Sequence, residues 1–244
     1  MTRLGMVIDL EKCVGCRACM VACKVENNTP ESAFWMYVFR LEDGEYPESR
    51  VSFLPRPCQH CDNAPCVKVC PVGARYTRDH GIVVTDWDRC IGCRYCEVAC
   101  PYGVNYFNYK KPKELQYLNW ENPDVEVHSQ GEVPPYKNPV LAGKFGPEQR
   151  KVAGGGHTKG VMEKCTFCVH RVDSGLDPAC VVNCPVGALI FGDLEDPESP
   201  ASRAIADKPA YRLLEERDTR PKVRYIGAPV SSTAREIERP KVRN

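Results

Sequence analysis

Sixteen cysteines constrain this 244-residue chain more than any other feature, and they fall into four sets of four with none left over. Set one is Cys13, Cys16, Cys19 and Cys23; set two is Cys58, Cys61, Cys66 and Cys70. Set three is Cys90, Cys93, Cys96 and Cys100; set four is Cys165, Cys168, Cys180 and Cys184. Sets one and three are nearly the same text, CVGCRACMVAC and CIGCRYCEVAC, identical at eight of eleven positions. Sets two and four share their endings, CVKVCPVGA and CVVNCPVGA, so two kinds of half-motif alternate along the chain. Proline follows Cys70, Cys100 and Cys184, whereas Lys24 follows Cys23.

Closely spaced thiolates on a tight loop can wrap a multi-iron core, each reaching a different iron. In the two-cluster ferredoxin pattern three leading cysteines hold one cluster and the fourth, before proline, crosses to the other. Gly15 and Gly92 sit inside the loops, where backbone angles closed to other residues are needed. The competing chemistry is structural zinc, but its four ligands usually come as two separated Cys-x2-Cys pairs, which leaves a third cysteine in each tight loop hard to place. Disulfides are disfavoured by the spacing on such loops, and MTRLGMVIDL lacks the apolar core of a secretory signal.

Each ferredoxin fold needs one half-motif of each kind. Only 19 residues separate sets two and three, enough for two short strands and a turn at 79–81, so these sets make one fold and sets one and four pair across the chain ends. The expected fold class is α+β, with two ferredoxin-like folds, an inserted loop and a C-terminal extension. The expected boundaries are 1–50 for the first half of fold A, 51–109 for fold B, 110–160 for the insertion, 161–195 for the second half of fold A and 196–244 for the extension. Four 4Fe-4S clusters follow: Cys13, Cys16, Cys19 with Cys184; Cys58, Cys61, Cys66 with Cys100; Cys90, Cys93, Cys96 with Cys70; and Cys165, Cys168, Cys180 with Cys23.

The insertion is rich in Pro, Gly, Lys and Asn, and VAGGGHTKG at 152–160 reads as its most flexible piece. Tyr106, Phe107, Tyr109, Tyr117 and Trp120 are types favoured at interfaces, which points to a partner contact; the alternative is that they cover a cluster domain. Ser199 and Pro200 read as the cap and first turn of a helix. RPKVRYI at 220–226 reads as a strand that Pro221 restricts to an edge, and the basic last 28 residues as a tail on an acidic body. His60, His170, Lys24, Lys164 and Arg171 lie close enough to cysteines to tune a cluster without ligating it, with a solvated surface role as the competing reading.

The formal charge of +1 counts every cysteine as neutral; sixteen thiolates around four cores of about +2 each would lower it by about eight units. An acidic loaded protein does not suit nucleic acid, whose binding needs a basic surface. No run approaches the roughly 20 apolar residues of a membrane helix.

MVIDLEKCVGC, PCQHCDNAPCVKVCPVGA, GIVVTDWDRCIGCRYCEVACPYG, KCTFCVHR and PACVVNCPVGALIFGDLEDPES together resemble the four-cluster iron-sulfur subunit of the dimethyl-sulfoxide-reductase superfamily. Within it the likeness is to subunits serving polysulfide, thiosulfate, tetrathionate and arsenate reductases. The resemblance implies the cross-paired clusters inferred above and a non-catalytic electron wire. It also implies a catalytic subunit with a molybdenum or tungsten bis-pterin centre and a quinone-interacting membrane subunit. The complex would be peripheral to a membrane, on the cytoplasmic side or carried across it with an exported partner. The dimethyl sulfoxide reductase branch commonly lacks one cysteine of set three, which is complete here, and the formate dehydrogenase branch carries a C-terminal membrane helix, which this sequence does not. The 110–160 loop exceeds that of the polysulfide type. The rival reading is a free-standing or hydrogenase-linked polyferredoxin.

Overall fold

The computed structural model describes residues 2–30, 33–109, 143–154 and 157–237. Its central strand is β1 (Leu4–Asp9), an apolar run whose Met6, Val7 and Ile8 are all fully buried. Side chains alternate across a strand, so Val7 meets one layer and Met6 and Ile8 the other. Val7 packs with Ala201 and Ile226, while Met6 and Ile8 enter the main core.

Two hairpins flank set two in the sequence. β2 (Tyr37–Asp43) and β3 (Arg50–Arg56) pair antiparallel, Tyr37 opposite Arg56, and this hairpin straddles residue 50, where the sequence suggested a boundary. β4 (Arg75–Thr77) and β5 (Val83–Thr85) form the expected short hairpin between sets two and three. The insertion is closed by β6 (Tyr106–Phe107) pairing with β7 (Met162–Glu163). β8 (Leu189–Asp193) then runs antiparallel to β1, Met6 opposite Phe191, which joins the two ends of the chain.

The C-terminal extension is part of that sheet. β9 (Ala210–Tyr211) and β10 (Val223–Ile226) complete the order β8, β1, β10, β9, with β10 parallel to β1. β10 is therefore paired on both sides, and the expected edge position for RPKVRYI is wrong. Pro221 lies two residues before the strand begins, so its missing N–H removes no bond from the ladder. A last strand, β11 (Arg235–Glu236), adds to β2; the rest of the basic tail lies outside the described residues.

The helices are short except at two places. α1 (Ala18–Asn27) runs ten residues, whereas α2 (Pro65–Lys68), α3 (Tyr95–Val98), α4 (Val169–Val172) and α5 (Ala179–Val182) each run four. α6 (Pro200–Asp207) starts as the sequence suggested, with Ser199 Oγ accepting from the Ser202 N–H. Among the described helices none is long and apolar enough to cross a membrane.

The insertion departs from expectation where it is described. Val152 and Ala153 are fully buried, Trp87 donates its backbone N–H to the Lys151 carbonyl, and His157 is buried between Glu163 and the Asn27 carbonyl at 2.8 Å each. Val152 and Ala153 are packed rather than slack, and the nearby His157 ring has a partner on both nitrogens. Tyr106 and Phe107 likewise belong to the body, in β6. Tyr109 is exposed, and Tyr117 and Trp120 lie outside the described residues.

Candidate metal centres

Sets one and three build the same loop. Gly15 and Arg17 have φ of 67° and 63°, and Gly92 and Arg94 have 70° and 64°, so each loop turns twice through the left-handed region before its helix begins. Only glycine enters that region freely, and both glycines are also crowded. A Cβ on Gly15 would stand 2.2 Å from the Phe53 ring, and one on Gly92 would stand 2.1 Å from the Gly160 carbonyl oxygen. The aromatic residue of β3 thus closes over the first loop and the returning end of the insertion over the third.

Sets two and four build a second loop. His60 and Phe167 occupy the same place in CQHC and CTFC, both with positive φ, and their N–H groups reach back to Cys58 Sγ at 3.5 Å and Cys165 Sγ at 3.4 Å. Past the proline, the Arg75 N–H reaches Cys70 Sγ at 3.4 Å and the Ala188 N–H reaches Cys184 Sγ at 3.2 Å. Such N–H···S contacts are among the levers that set cluster potential.

These loops bring cysteines together in a crossed pattern. One cavity is lined by Cys13, Cys16, Cys19 and Cys184. A second is lined by Cys58, Cys61, Cys66 and Cys100. A third is lined by Cys70, Cys90, Cys93 and Cys96. Cys23, Cys165, Cys168 and Cys180 are all buried, and Cys165, Cys168 and Cys23 are close neighbours of Cys180.

The chemistry of this donor set calls for metal. Burial pushes the Cys19 thiol up to about 12, and its neighbours Cys13, Cys184 and Cys16 push the same way. Burial does the same to Cys61 and Cys165, each up to about 12, and to Cys168, up to about 11. Groups of thiols that resist ionisation together need positive charge at their centre to become thiolates. The sulfurs surround cavities rather than converge on a point, and among the described residues no three Cys, His, Asp or Glu side chains close on a single ion. That arrangement suits a multi-iron core and not one zinc. All sixteen cysteines are free of disulfides.

The proposed tuning residues divide. His60 is fully buried, stacks on Phe167 with ring centres 3.8 Å apart, and accepts the Val83 N–H on Nδ1 at 3.1 Å. Burial first, then Lys164, Lys222 and Arg75, holds its pKa well below the usual value, so the ring is neutral with its proton on Nε2. Lys164 is buried beside the set-two cavity and donates to the carbonyls of Val83 and Cys165. A solvated role is thus excluded for both. His170 Nε2 meets Glu26 Oε1 at 2.6 Å, and Arg171 Nη1 meets Glu26 Oε2 at 3.4 Å. Lys24 donates to the carbonyls of Pro30 at 2.8 Å and Ala33 at 3.0 Å, beyond the end of α1, and touches no sulfur among these contacts.

Three residues escaped the sequence reading. Asn27 Nδ2 lies 3.7 Å from both Cys23 Sγ and Cys168 Sγ. Arg75 is buried with Nη2 3.3 Å from Cys96 Sγ and Nη1 2.6 Å from Asn105 Oδ1. Asn105 in turn donates to the Cys96 carbonyl at 2.9 Å. Asn27 could have been found as the residue one helical turn past Cys23, and Arg75 as the position where CPVGAR departs from CPVGAL.

Two family models described as the 4Fe-4S dicluster domain match the chain, one over residues 49–116 and 151–194, the other over residues 12–74. The chain belongs to the 4Fe-4S dicluster family. Its relatives include the arsenate respiratory reductase iron-sulfur subunit of a Shewanella species, 43% identical over 92% of this chain and 96% of the relative. A subunit of the selenate reductase of Mesobacillus selenatarsenatis is 40% identical over 91% of this chain and 70% of its own length. The menaquinone reductase iron-sulfur cluster-binding subunit of Nitratidesulfovibrio vulgaris is 38% identical over 91% and 88%. This dicluster protein therefore carries four 4Fe-4S clusters in two ferredoxin-like domains and serves as an electron-transfer subunit, not a catalytic one.

Proposed function

We propose that the chain is a four-cluster wire whose terminal clusters lie at set one and set three. The quartets are those the three cavities and the buried neighbours of Cys180 suggest: Cys13, Cys16, Cys19 with Cys184; Cys23 with Cys165, Cys168, Cys180; Cys58, Cys61, Cys66 with Cys100; and Cys70 with Cys90, Cys93, Cys96. Their order along the wire is supported by which sulfurs face which. Cys23 and Cys180 of the second quartet neighbour Cys19 of the first. Cys165 of the second neighbours Cys58 of the third. Arg75 faces Cys66, Cys58 and Cys100 of the third and Cys96 of the fourth. This single-file succession carries the reading, because electron tunnelling weakens steeply with distance and several short hops replace one long one.

The exposed cysteines support the same terminals. Cys16 and Cys93 are exposed, and each lies beside an exposed apolar residue at the equivalent position, Val14 and Ile91. At one terminal a catalytic subunit with a molybdenum or tungsten bis-pterin centre exchanges electrons for a sulfur or oxyanion substrate. At the other a quinone-interacting membrane subunit does so, which makes the complex peripheral to a membrane through its partner. The names of the relatives support this over a free-standing carrier. Folds A and B with a partner-facing insertion follow the boundaries given above, except that the β2–β3 hairpin groups 51–56 with fold A.

Purification of the native complex with metal and pterin analysis tests the reading. About sixteen irons per chain are expected, with a co-purifying large subunit containing pterin and Mo or W. A lone monomer with the same iron would instead support the free-standing carrier.

A further inference from the structure

The two CPVGA motifs end differently, and the difference is buried. Arg75 follows the first and lines the set-three cavity; Leu189 follows the second and lines the set-one cavity. Both side chains are almost wholly excluded from water, at 2% and 4% exposure. A buried guanidinium is costly without a negative partner. Yet among the described residues Arg75 makes no salt bridge: its partners are the Asn105 amide oxygen and Cys96 Sγ. Its own N–H meanwhile points at Cys70 Sγ, so one residue contacts two of the four sulfurs that line the set-three cavity. Asn105, which holds the guanidinium, also lines the set-two cavity.

Building on the four-cluster reading above, we propose that Arg75 is the buried counter-charge of the set-three cluster and, at one remove, of the set-two cluster, raising their reduction potentials above that of set one. The negative charge that the guanidinium lacks is supplied by thiolates around iron, where four thiolates outweigh a core of about +2. One-electron reduction increases that negative charge, and a fixed positive charge beside the sulfurs favours it. Set one has an apolar side chain in the equivalent place and gains nothing of the kind. Arg75 is a tuning residue that gives the two ends of a near-symmetric wire different potentials.

The test is an EPR-monitored redox titration of the whole complex carrying Arg75→Leu or Arg75→Lys, with iron counted first. The set-three signal is identified as the one altered by Cys93→Ser. Arg75→Leu should shift the set-three reduction equilibrium at least tenfold towards the oxidised form, about 59 mV for one electron, and set two by less. Sets one and four should hold, and Arg75→Lys should keep most of the wild-type potential. Unchanged potentials in Arg75→Leu would overturn the proposal, as would a Lys variant that shifts as far as the Leu variant, since packing and not charge would then be the cause. If Arg75→Leu loses iron, Arg75→Gln against Arg75→Lys asks the same question with the same readings. Wild-type iron far below sixteen would instead remove the four-cluster reading itself.

Discussion

Replacing Lys24 by proline would restore the motif that set one lacks, and the structure says that this should damage the protein. Lys24 stands inside α1, which continues four residues beyond Cys23. That extra turn delivers Glu26 to His170 and Asn27 to the sulfurs of Cys23 and Cys168. Proline at 24 removes one helical hydrogen bond, collides with the carbonyl four residues back and pushes Cys23 away from helical angles, at about 3 kcal/mol or more. Lys24→Ala is the control, because it loses the bonds to the Pro30 and Ala33 carbonyls but keeps the helix. Such charge-assisted bonds contribute about 1.5–3 kcal/mol when buried, less here where they are partly exposed. The two variants should therefore differ by about 3 kcal/mol. At about 2–4 °C per kcal/mol for a chain of this size, the proline variant should melt about 6–12 °C below the alanine variant. Thermal melting followed by the visible absorption of the clusters reads this directly, and iron analysis should show the set-four cluster lost first. Equal melting temperatures with full iron in both variants would refute the argument.

Two left-handed glycines should respond differently to alanine. Gly187→Ala meets nothing within 4 Å and should cost only the about 1–2 kcal/mol of a left-handed residue, with iron retained. Gly92→Ala drives a methyl group into the Gly160 carbonyl, adding about 1–3 kcal/mol of overpacking and loosening the set-three cluster, as iron analysis would show. Asp62→Asn strands the fully buried Lys222 amine that it now meets at 2.7 Å; breaking a buried pair costs about 3–5 kcal/mol, reduced here because Asp62 is about a third exposed. Lys222→Met should cost less, since Asp62 keeps Arg3, and denaturant midpoints would rank the two. Removing the iron with a chelator under reducing conditions should lower the melting temperature, because metal that binds only the folded site adds its binding free energy to folding.

How much of this was legible in the sequence follows from the length of each signal. The cysteine sets, the alternation of half-motifs and the 199–200 helix start are local patterns, and the fold keeps them. Placing 220–226 at a sheet edge failed because pairing partners are decided across the whole chain: β10 lies against β1, more than 210 residues away. The residues 152–160 looked flexible because glycine reads as slack, whereas Val152 and Ala153 are buried and His157 is held by Glu163 and the Asn27 carbonyl. Arg75, Asn27 and Asn105 have no motif of their own; folding alone brings Arg75 to Cys96, Asn27 to Cys168 and Asn105 to the guanidinium of Arg75.

The crossed assignment of sets one and four is the centre of the account, and Cys184→Ser tests it most directly. Cys184 follows three cysteines of set four in the sequence but lines the set-one cavity in the fold. EPR of the variant complex should show an altered or missing set-one cluster, with the cluster of Cys23, Cys165, Cys168 and Cys180 unchanged. A change confined to that latter cluster would contradict the crossing and the single-file wire built on it.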